Sequence, residues 1–180
     1  MANLSKHDRV KIAKQEYRFY SVGDKMNNVI KTKRLRIRLS SDLEMEELIA
    51  NEKDEGMKQA YTEMLNASIN NPLTRKWYAT WIIELSDNDN QRIGDLCFKG
   101  LDMGTVEIGY GLNNLYWGQG YATEAVRAMI EWVKSQDEVN KIEAESETDN
   151  IASIRVLEKS GFELNGVQGE EGPRFEYKGL

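Results

Sequence analysis

The stretch from Glu107 to Ala125 limits what this chain can fold into more than any other. Glu107-Ile108-Gly109-Tyr110-Gly111-Leu112 reads as a short strand, and Asn113-Asn114 follows as a polar turn. Gly118 and Gly120 then open a segment with Ala122, Ala125, Val126, Met129, Ile130 and Val133 at helical spacing. Strand, glycine-rich turn and helix is a phosphate-binding arrangement. Glycines let the backbone approach an anion, and the first amides of a helix have no carbonyl partner of their own. No Walker lysine is present, and Thr123 stands where a dinucleotide fingerprint needs its third glycine. For the glycines taken alone, a tight turn without a ligand remains the plain alternative.

A second stretch narrows the choice. Asp149 to Phe162 reads as a helix with Asp149 or Asn150 as N-cap, Ile151, Ile154 and Leu157 as apolar stripe, and Gly161 at its end. Together the two stretches resemble the GNAT acetyltransferases. The glycine turn is similar to that family's pyrophosphate loop, and Asn150, Ser153 and Gly161-Phe162 are similar to its second cofactor helix. Thr32-Lys33-Arg34-Leu35-Arg36-Ile37-Arg38 resembles the first strand of the ribosomal-protein N-acetyltransferase-like branch, and the resemblance spans roughly residues 32–178. Two positions depart from the family pattern. Trp117 stands where the loop often begins with Gln or Arg. Leu157 stands where many members carry a tyrosine acid, seven residues after the helix asparagine, and leucine cannot donate a proton.

The resemblance implies acetyl-CoA as donor, an amine as acceptor and direct attack in a ternary complex. The pantetheine arm would pair with the backbone of Tyr110, Gly111 and Leu112, as an added strand does. The pyrophosphate would rest on the amides of Trp117, Gly118, Gln119, Gly120, Tyr121, Ala122 and Thr123. Asn150 would bond the pantetheine amides, and Ser153, one turn further on the same helix face, would serve the leaving thiol; capping or packing is its structural alternative. Glu145, five residues before Asn150, and Glu107 on the preceding strand are the two candidate bases, against the ordinary role of strand glutamates as solvated surface. No metal is implied.

The rest of the chain reads as a mixed, mostly antiparallel sheet of about seven strands with helices on both faces, an α/β (α+β) class. Residues 1–30 form a basic arm, with a helix from about Asp8 to Tyr20, and residues 31–180 form one acetyltransferase-like domain. Strands are expected at Lys33–Leu39, Trp77–Leu85, Arg92–Lys99, Gly104–Leu112, Lys141–Glu147, Phe162–Asn165 and Phe175–Lys178. Helices are expected from Ser41 or Asp42, over Glu55–Asn70, and over Gly120–Ser135, with Gly166–Gly172 as a mobile loop. Met57, Tyr61 and Met64 combine core with acceptor wall.

Charge is uneven. Residues 1–40 hold 11 Lys and Arg against 3 Asp and Glu, and the remainder holds 13 against 27, so a local balance of +8 precedes one of −14. The acidic body suits a cationic acceptor such as a protein N-terminus, a polyamine or an aminoglycoside. A ribosomal protein or peptide is a further partner class. Nucleic acid is not favoured, because no aromatic platform accompanies the basic arm. His7, the only histidine, lies in that arm, so histidine triads and histidine-based metal sites are excluded. The single cysteine, Cys97, permits no intrachain disulfide and sits in an apolar run as a structural thiol. No apolar run of membrane-spanning length and no secretory leader pattern is present, which suits the cytoplasm. A non-catalytic CoA-binding module and a nucleic-acid or ribosome-associated protein stand as alternative functions, and a homodimer as an open assembly state.

Overall fold

The computed structural model describes residues 29–87 and 89–180. The expected arm helix and His7 lie outside them. Within the described residues eight strands form one sheet: β1 (Val29–Lys31), β2 (Leu35–Leu39), β3 (Trp81–Leu85), β4 (Arg92–Asp102), β5 (Thr105–Leu112), β6 (Lys141–Glu145), β7 (Phe162–Gln168) and β8 (Pro173–Tyr177). Their order is β1-β2-β3-β4-β5-β6-β8-β7. Every neighbouring pair is antiparallel except β5 and β6. Among the described residues four α-helices join them: α1 (Asp42–Asn51), α2 (Glu55–Asn70), α3 (Tyr121–Lys134) and α4 (Ile151–Lys159).

Local chemistry accounts for most of these elements. In β2, Leu35 and Ile37 are buried while Arg36 and Arg38 point to the other face, as a period of two requires. Helix α1 starts on a reciprocal cap: Ser41 accepts from the Glu44 amide and Glu44 accepts from the Ser41 amide. Helix α3 buries Ala125, Val126, Met129, Ile130 and Val133 on one stripe. The parallel pair β5–β6 needs a crossover, and α3 supplies it.

Two expectations are corrected. Trp77 is not the start of a strand. It closes a 3₁₀ segment, Pro72–Trp77, and strand β3 begins at Trp81. Trp77, Trp81, Phe98 and Trp132 form an aromatic cluster, with Trp77 edge-on to Phe98 at 5.1 Å between ring centres, and this packing turns the chain before the strand. The glycine-rich loop is also shorter and more fastened than expected. Strand β7 runs to Gln168, and the Glu145 carboxylate accepts the Glu171 and Gly172 amides across the turn that follows.

The sheet has two unlike faces. The apolar face carries Ile83, Leu96, Ile108, Ile142, Ala144 and Phe175 against α3 and α4. The opposite face carries Arg36, Arg38, Glu84, Asp95, Cys97, Lys99 and Glu107. Helices α1 and α2 lie over part of that second face, held by Arg38 to Glu44 and by Tyr61 to Asp95.

Candidate active site

Strand β5 pairs with β6 only from Thr105 to Glu107, although β5 itself continues to Leu112. Beyond Glu107 the two strands part, while β6 stays paired with β8 along its other edge as far as Glu145. The backbone of Ile108–Leu112 therefore presents to the gap an edge that β6 does not take. An extended amide chain adds to such an edge through main-chain hydrogen bonds.

The glycine turn closes one end of the gap. Gly118 and Gly120 have φ of +71° and +81°, where L side chains are disfavoured. A β-carbon at Gly118 would meet nothing within 4 Å, so the turn is open to a ligand. Gly120 is the N-cap of α3 and brings no side-chain oxygen to the first amides, which leaves them for an anion. Trp117 donates its indole N–H to the Leu112 carbonyl at 2.7 Å, tying the turn to the end of β5. Gln119 donates to the Leu115 carbonyl at 3.0 Å.

Arg34, whose clamping role the sequence did not signal, fastens this turn from the entry to β2. Its Nε reaches Glu124 at 2.6 Å, its Nη1 reaches the Gln119 carbonyl at 3.0 Å, and its guanidinium lies 4.3 Å from the centre of the Tyr121 ring. Thr32 also donates to Glu124, at 2.6 Å. Ala122 and Thr123 follow in the first turn of α3, and Thr123 joins Arg34 in lining a groove of about 620 Å³ beside the helix start.

Helix α4 closes the other side. Asn150 is its N-cap, with Oδ1 accepting the Ser153 amide at 3.0 Å. One oxygen thus caps the helix, and among the described residues no partner is assigned to its Nδ2. Ser153 does not stand alone. The Tyr110 side chain crosses from β5 and places its hydroxyl 3.1 Å from Ser153 Oγ. Burial pushes the Tyr110 phenol up, with the Ser153 contact opposing, so it stays protonated near neutral pH. Leu157 is fully buried and belongs to the core.

The two candidate bases are both engaged. Glu107 forms ion pairs with Arg174 and, at 2.6 Å, with Lys99. Glu145 is pushed up by burial, but the Gly172 and Glu171 amides outweigh this and hold its carboxyl below the usual range. Its work is to hold the β7–β8 turn, which brings Glu171 to the rim of a cleft.

That cleft, of about 1120 Å³, lies between α1, α2 and the polar ends of β4 and β5. Met57, Tyr61 and Met64 line it, together with Cys97, Gly109 and Gly111. Asp95 stands on its floor, a residue that sequence reasoning passed over because one aspartate in a strand carries no motif. Burial raises its carboxyl above the ordinary aspartate range, against the pull of Arg92 at 2.7 Å. Burial and Asp95 push the Cys97 thiol up to about 12, so it is not a nucleophile at neutral pH.

Comparison with known proteins agrees with this layout. The acetyltransferase (GNAT) domain family matches residues 33–163. The uncharacterized N-acetyltransferase YjdG of Bacillus subtilis is 37% identical over 97 residues, which cover 53% of this chain and 57% of YjdG. The chain thus spans little more than half the length of that relative. Among solved structures, RimL, a ribosomal L7/L12 alpha-N-protein acetyltransferase in complex with coenzyme A, has a TM-score of 0.65 at 17% identity, covering 83% of this chain and 96% of RimL. The aminoglycoside acetyltransferase AAC(6')-Ib in complex with coenzyme A has 0.59 at 22%, covering 79% and 92%. At these identities the two structures speak to the fold. A strand edge released beside a glycine turn at a helix start, matched across most of the domain, places the chain in the GNAT acetyltransferase family.

Proposed function

We propose that the protein transfers an acetyl group from acetyl-CoA to a primary amine by direct attack in a ternary complex. The carrying observation is the edge of β5 from Ile108 to Leu112, which β6 leaves free beside the left-handed glycines that open α3. The arm of the cosubstrate pairs with that edge at Tyr110, Gly111 and Leu112, and its pyrophosphate rests on the amides from Trp117 to Thr123. Asn150 donates from Nδ2 to a pantetheine carbonyl.

The chemistry needs a proton acceptor at the amine, a donor at the thioester oxygen and a proton for the thiolate. An amide of β5 supplies the second. The protonated Tyr110 hydroxyl, with Ser153 beside it, supplies the third in place of the missing tyrosine acid. Glu107 and Glu145 already accept from donors, Glu107 from Lys99 and Arg174 and Glu145 from the Glu171 and Gly172 amides. They hold Lys99, Arg174 and the β7–β8 turn in place, and Glu107→Gln or Glu145→Gln is expected to alter activity through that framework.

A non-catalytic CoA-binding module is the second reading, favoured by the loss of Leu157 to the core. One experiment separates the two. Acetyl-CoA affinity by calorimetry is paired with a thiol-release screen over amines and peptides. Binding with thiol release that depends on an amine supports transfer. Binding without release from any acceptor points to the module, and no binding removes the cosubstrate assignment.

A further inference from the structure

The Trp117 indole N–H reaches the carbonyl of Leu112 at 2.7 Å. What that carbonyl faces follows from the ladder between β4 and β5. In an antiparallel pair, residues alternate between those that bond the partner strand and those that turn both N–H and C=O away from it. Asn113 donates to the Ile93 carbonyl at 2.9 Å, so Asn113 is of the first kind. The register from Leu112 opposite Gly94 to Ile108 opposite Phe98 is unbroken, so Gly111 and Gly109 also bond β4 while Leu112 and Tyr110 turn away. Gly94 agrees with this. A β-carbon there would collide with the Gly111 carbonyl oxygen, which therefore points to β4. The groups that face the gap are thus the N–H and C=O of Tyr110 and of Leu112, and β6 has left β5 before both.

The indole stands on the gap side of Leu112, where the backbone of an added strand would run. It takes the last carbonyl and leaves Tyr110 N–H, Tyr110 C=O and Leu112 N–H for a ligand. The ring is largely exposed, so this bond does not serve core packing. An extended amide arm on a bare strand edge slides in steps of two residues, about 6.8 Å, because the same groups recur at that interval. One such step toward the glycine turn would pair the arm with Leu112 and draw the acyl end away from Tyr110 and Ser153. The indole blocks that step by holding the acceptor it needs. A pyrophosphate on the glycine turn blocks it as well, since the head of the cosubstrate would overrun Gly118.

We propose that Trp117 is a positioning residue. Its indole N–H ends the free edge at Leu112 and so fixes the register in which the amide arm of the donor lies, with the acyl group at Tyr110. This rests on the acetyl-transfer reading above. The plain alternative is that the same bond only braces the turn. The two differ in which donor feels the loss of the N–H. A donor without the pyrophosphate has the indole alone to set its register, and a donor that carries it has two stops. A brace for the turn matters only to the donor that uses the turn.

The test uses the full chain with acetyl-CoA and with S-acetylpantetheine, which has the same amide arm and no pyrophosphate. Trp117→Phe keeps an aromatic ring and removes the N–H, and at an exposed position it should fold as wild type. With S-acetylpantetheine, kcat and KM should both fall about threefold, the scale set by one hydrogen bond. A slipped complex holds the enzyme without reacting, so both fall in the same ratio. The quotient kcat/KM compares free enzyme and donor with the transition state, and it should not move. With acetyl-CoA both constants should match wild type. The reverse pattern, a raised KM for acetyl-CoA with S-acetylpantetheine unaffected, overturns the proposal in favour of a brace. Unchanged kinetics with both donors, or a lower kcat/KM with S-acetylpantetheine, overturns it too. So does a wild type that uses acetyl-CoA but not S-acetylpantetheine, because the capped edge would then not hold the arm by itself.

A readout without turnover separates this proposal from acetyl transfer. In NMR spectra of the wild type, pantetheine should move the Tyr110 and Leu112 amide signals and leave the Trp117 indole N–H in its hydrogen-bonded position. That result supports the register stop even if no amine is acetylated. An indole signal that pantetheine releases to its free position, or Tyr110 and Leu112 amides that do not respond, overturns it.

Discussion

The Tyr110 hydroxyl lies 3.1 Å from Ser153 Oγ and 3.1 Å from the Ser153 backbone carbonyl, bridging the end of β5 to the first turn of α4. Tyr110 can donate to the carbonyl while the serine hydroxyl donates to the phenol oxygen. In the proposed reaction this pair, in place of Leu157, would meet the departing sulfur.

Removing either hydroxyl is expected to slow chemistry without abolishing it. Tyr110→Phe and Ser153→Ala should each lower the single-turnover rate by ~10- to 100-fold, within or just below the usual contribution of general acid catalysis. The double variant should lose little more than the worse single, because the two act as one unit. Acetyl-CoA affinity should change less than about threefold, as one hydroxyl contact is removed. Rates equal to wild type in both single variants would leave water as the proton source.

The glycine turn predicts a split between backbone strain and contact. Gly120 has φ of +81°, and a β-carbon there would meet Arg34 Nη2 at an ordinary 3.6 Å. Gly120→Val is therefore penalised by its dihedral rather than by a clash. It should weaken acetyl-CoA binding at least tenfold, about 1.4 kcal/mol. Calorimetry showing wild-type affinity in a folded variant would remove the turn from the binding site.

Trp117 offers a direct optical reading. It is 66% exposed, whereas Trp77 and Trp81 are fully buried and Trp132 packs in the aromatic cluster. Acetyl-CoA on the glycine turn should change tryptophan emission, and Trp117→Phe should eliminate most of that change. Emission that responds equally in the variant would place the cosubstrate elsewhere.

Salt should distinguish cationic from neutral acceptors. The cleft is lined by Glu52, Glu63, Asp95 and Glu171 against Arg92 and Lys99. The rate with a cationic amine at subsaturating concentration is expected to fall as ionic strength rises, since exposed charges are screened over about 10 Å at 0.1 M. A salt-independent kcat/KM would show that the acidic rim does not gather the acceptor.

Acid stability should expose the α1 anchor. Hydrogen bonding from Arg38 lowers the Glu44 carboxyl to about 2 from its ordinary 4.5, with the Ser41 donors adding to the effect against burial. A depressed carboxyl contributes stability that is full above the unfolded value and lost as pH falls toward the folded one. Glu44→Gln should therefore lower Tm at pH 6, and the gap from wild type should close between pH 4.5 and about 2. A gap that stays constant across that range would assign the effect to the helix cap alone.

Glu145 and Asp95 mark the limit of what a linear reading reaches. Glu145 occupies a position that the family resemblance marks for a base, yet its oxygen takes the Glu171 and Gly172 amides, donors supplied 26 and 27 residues later. Asp95 carries no motif; burial makes it a weaker acid, against the pull of Arg92 and of the Tyr61 hydroxyl that reaches it across 34 residues.

By itself the sequence determined what depends on neighbours along the chain. The alternation of β2, the stripe of α3, the Ser41–Glu44 cap and the left-handed glycines before α3 all follow from side chains within a few residues of each other. Only the tertiary structure decided which polar groups meet. The Arg34–Glu124 clamp spans 90 residues and the Tyr110–Ser153 bridge spans 43. Such pairs are set by sheet register and by how far two strands stay together, and a shift of one residue would turn every side chain to the other face. The parting of β5 from β6 after Glu107, which opens the site, is likewise set by the whole sheet, in which β6 stays paired with β8 on its other edge while leaving β5.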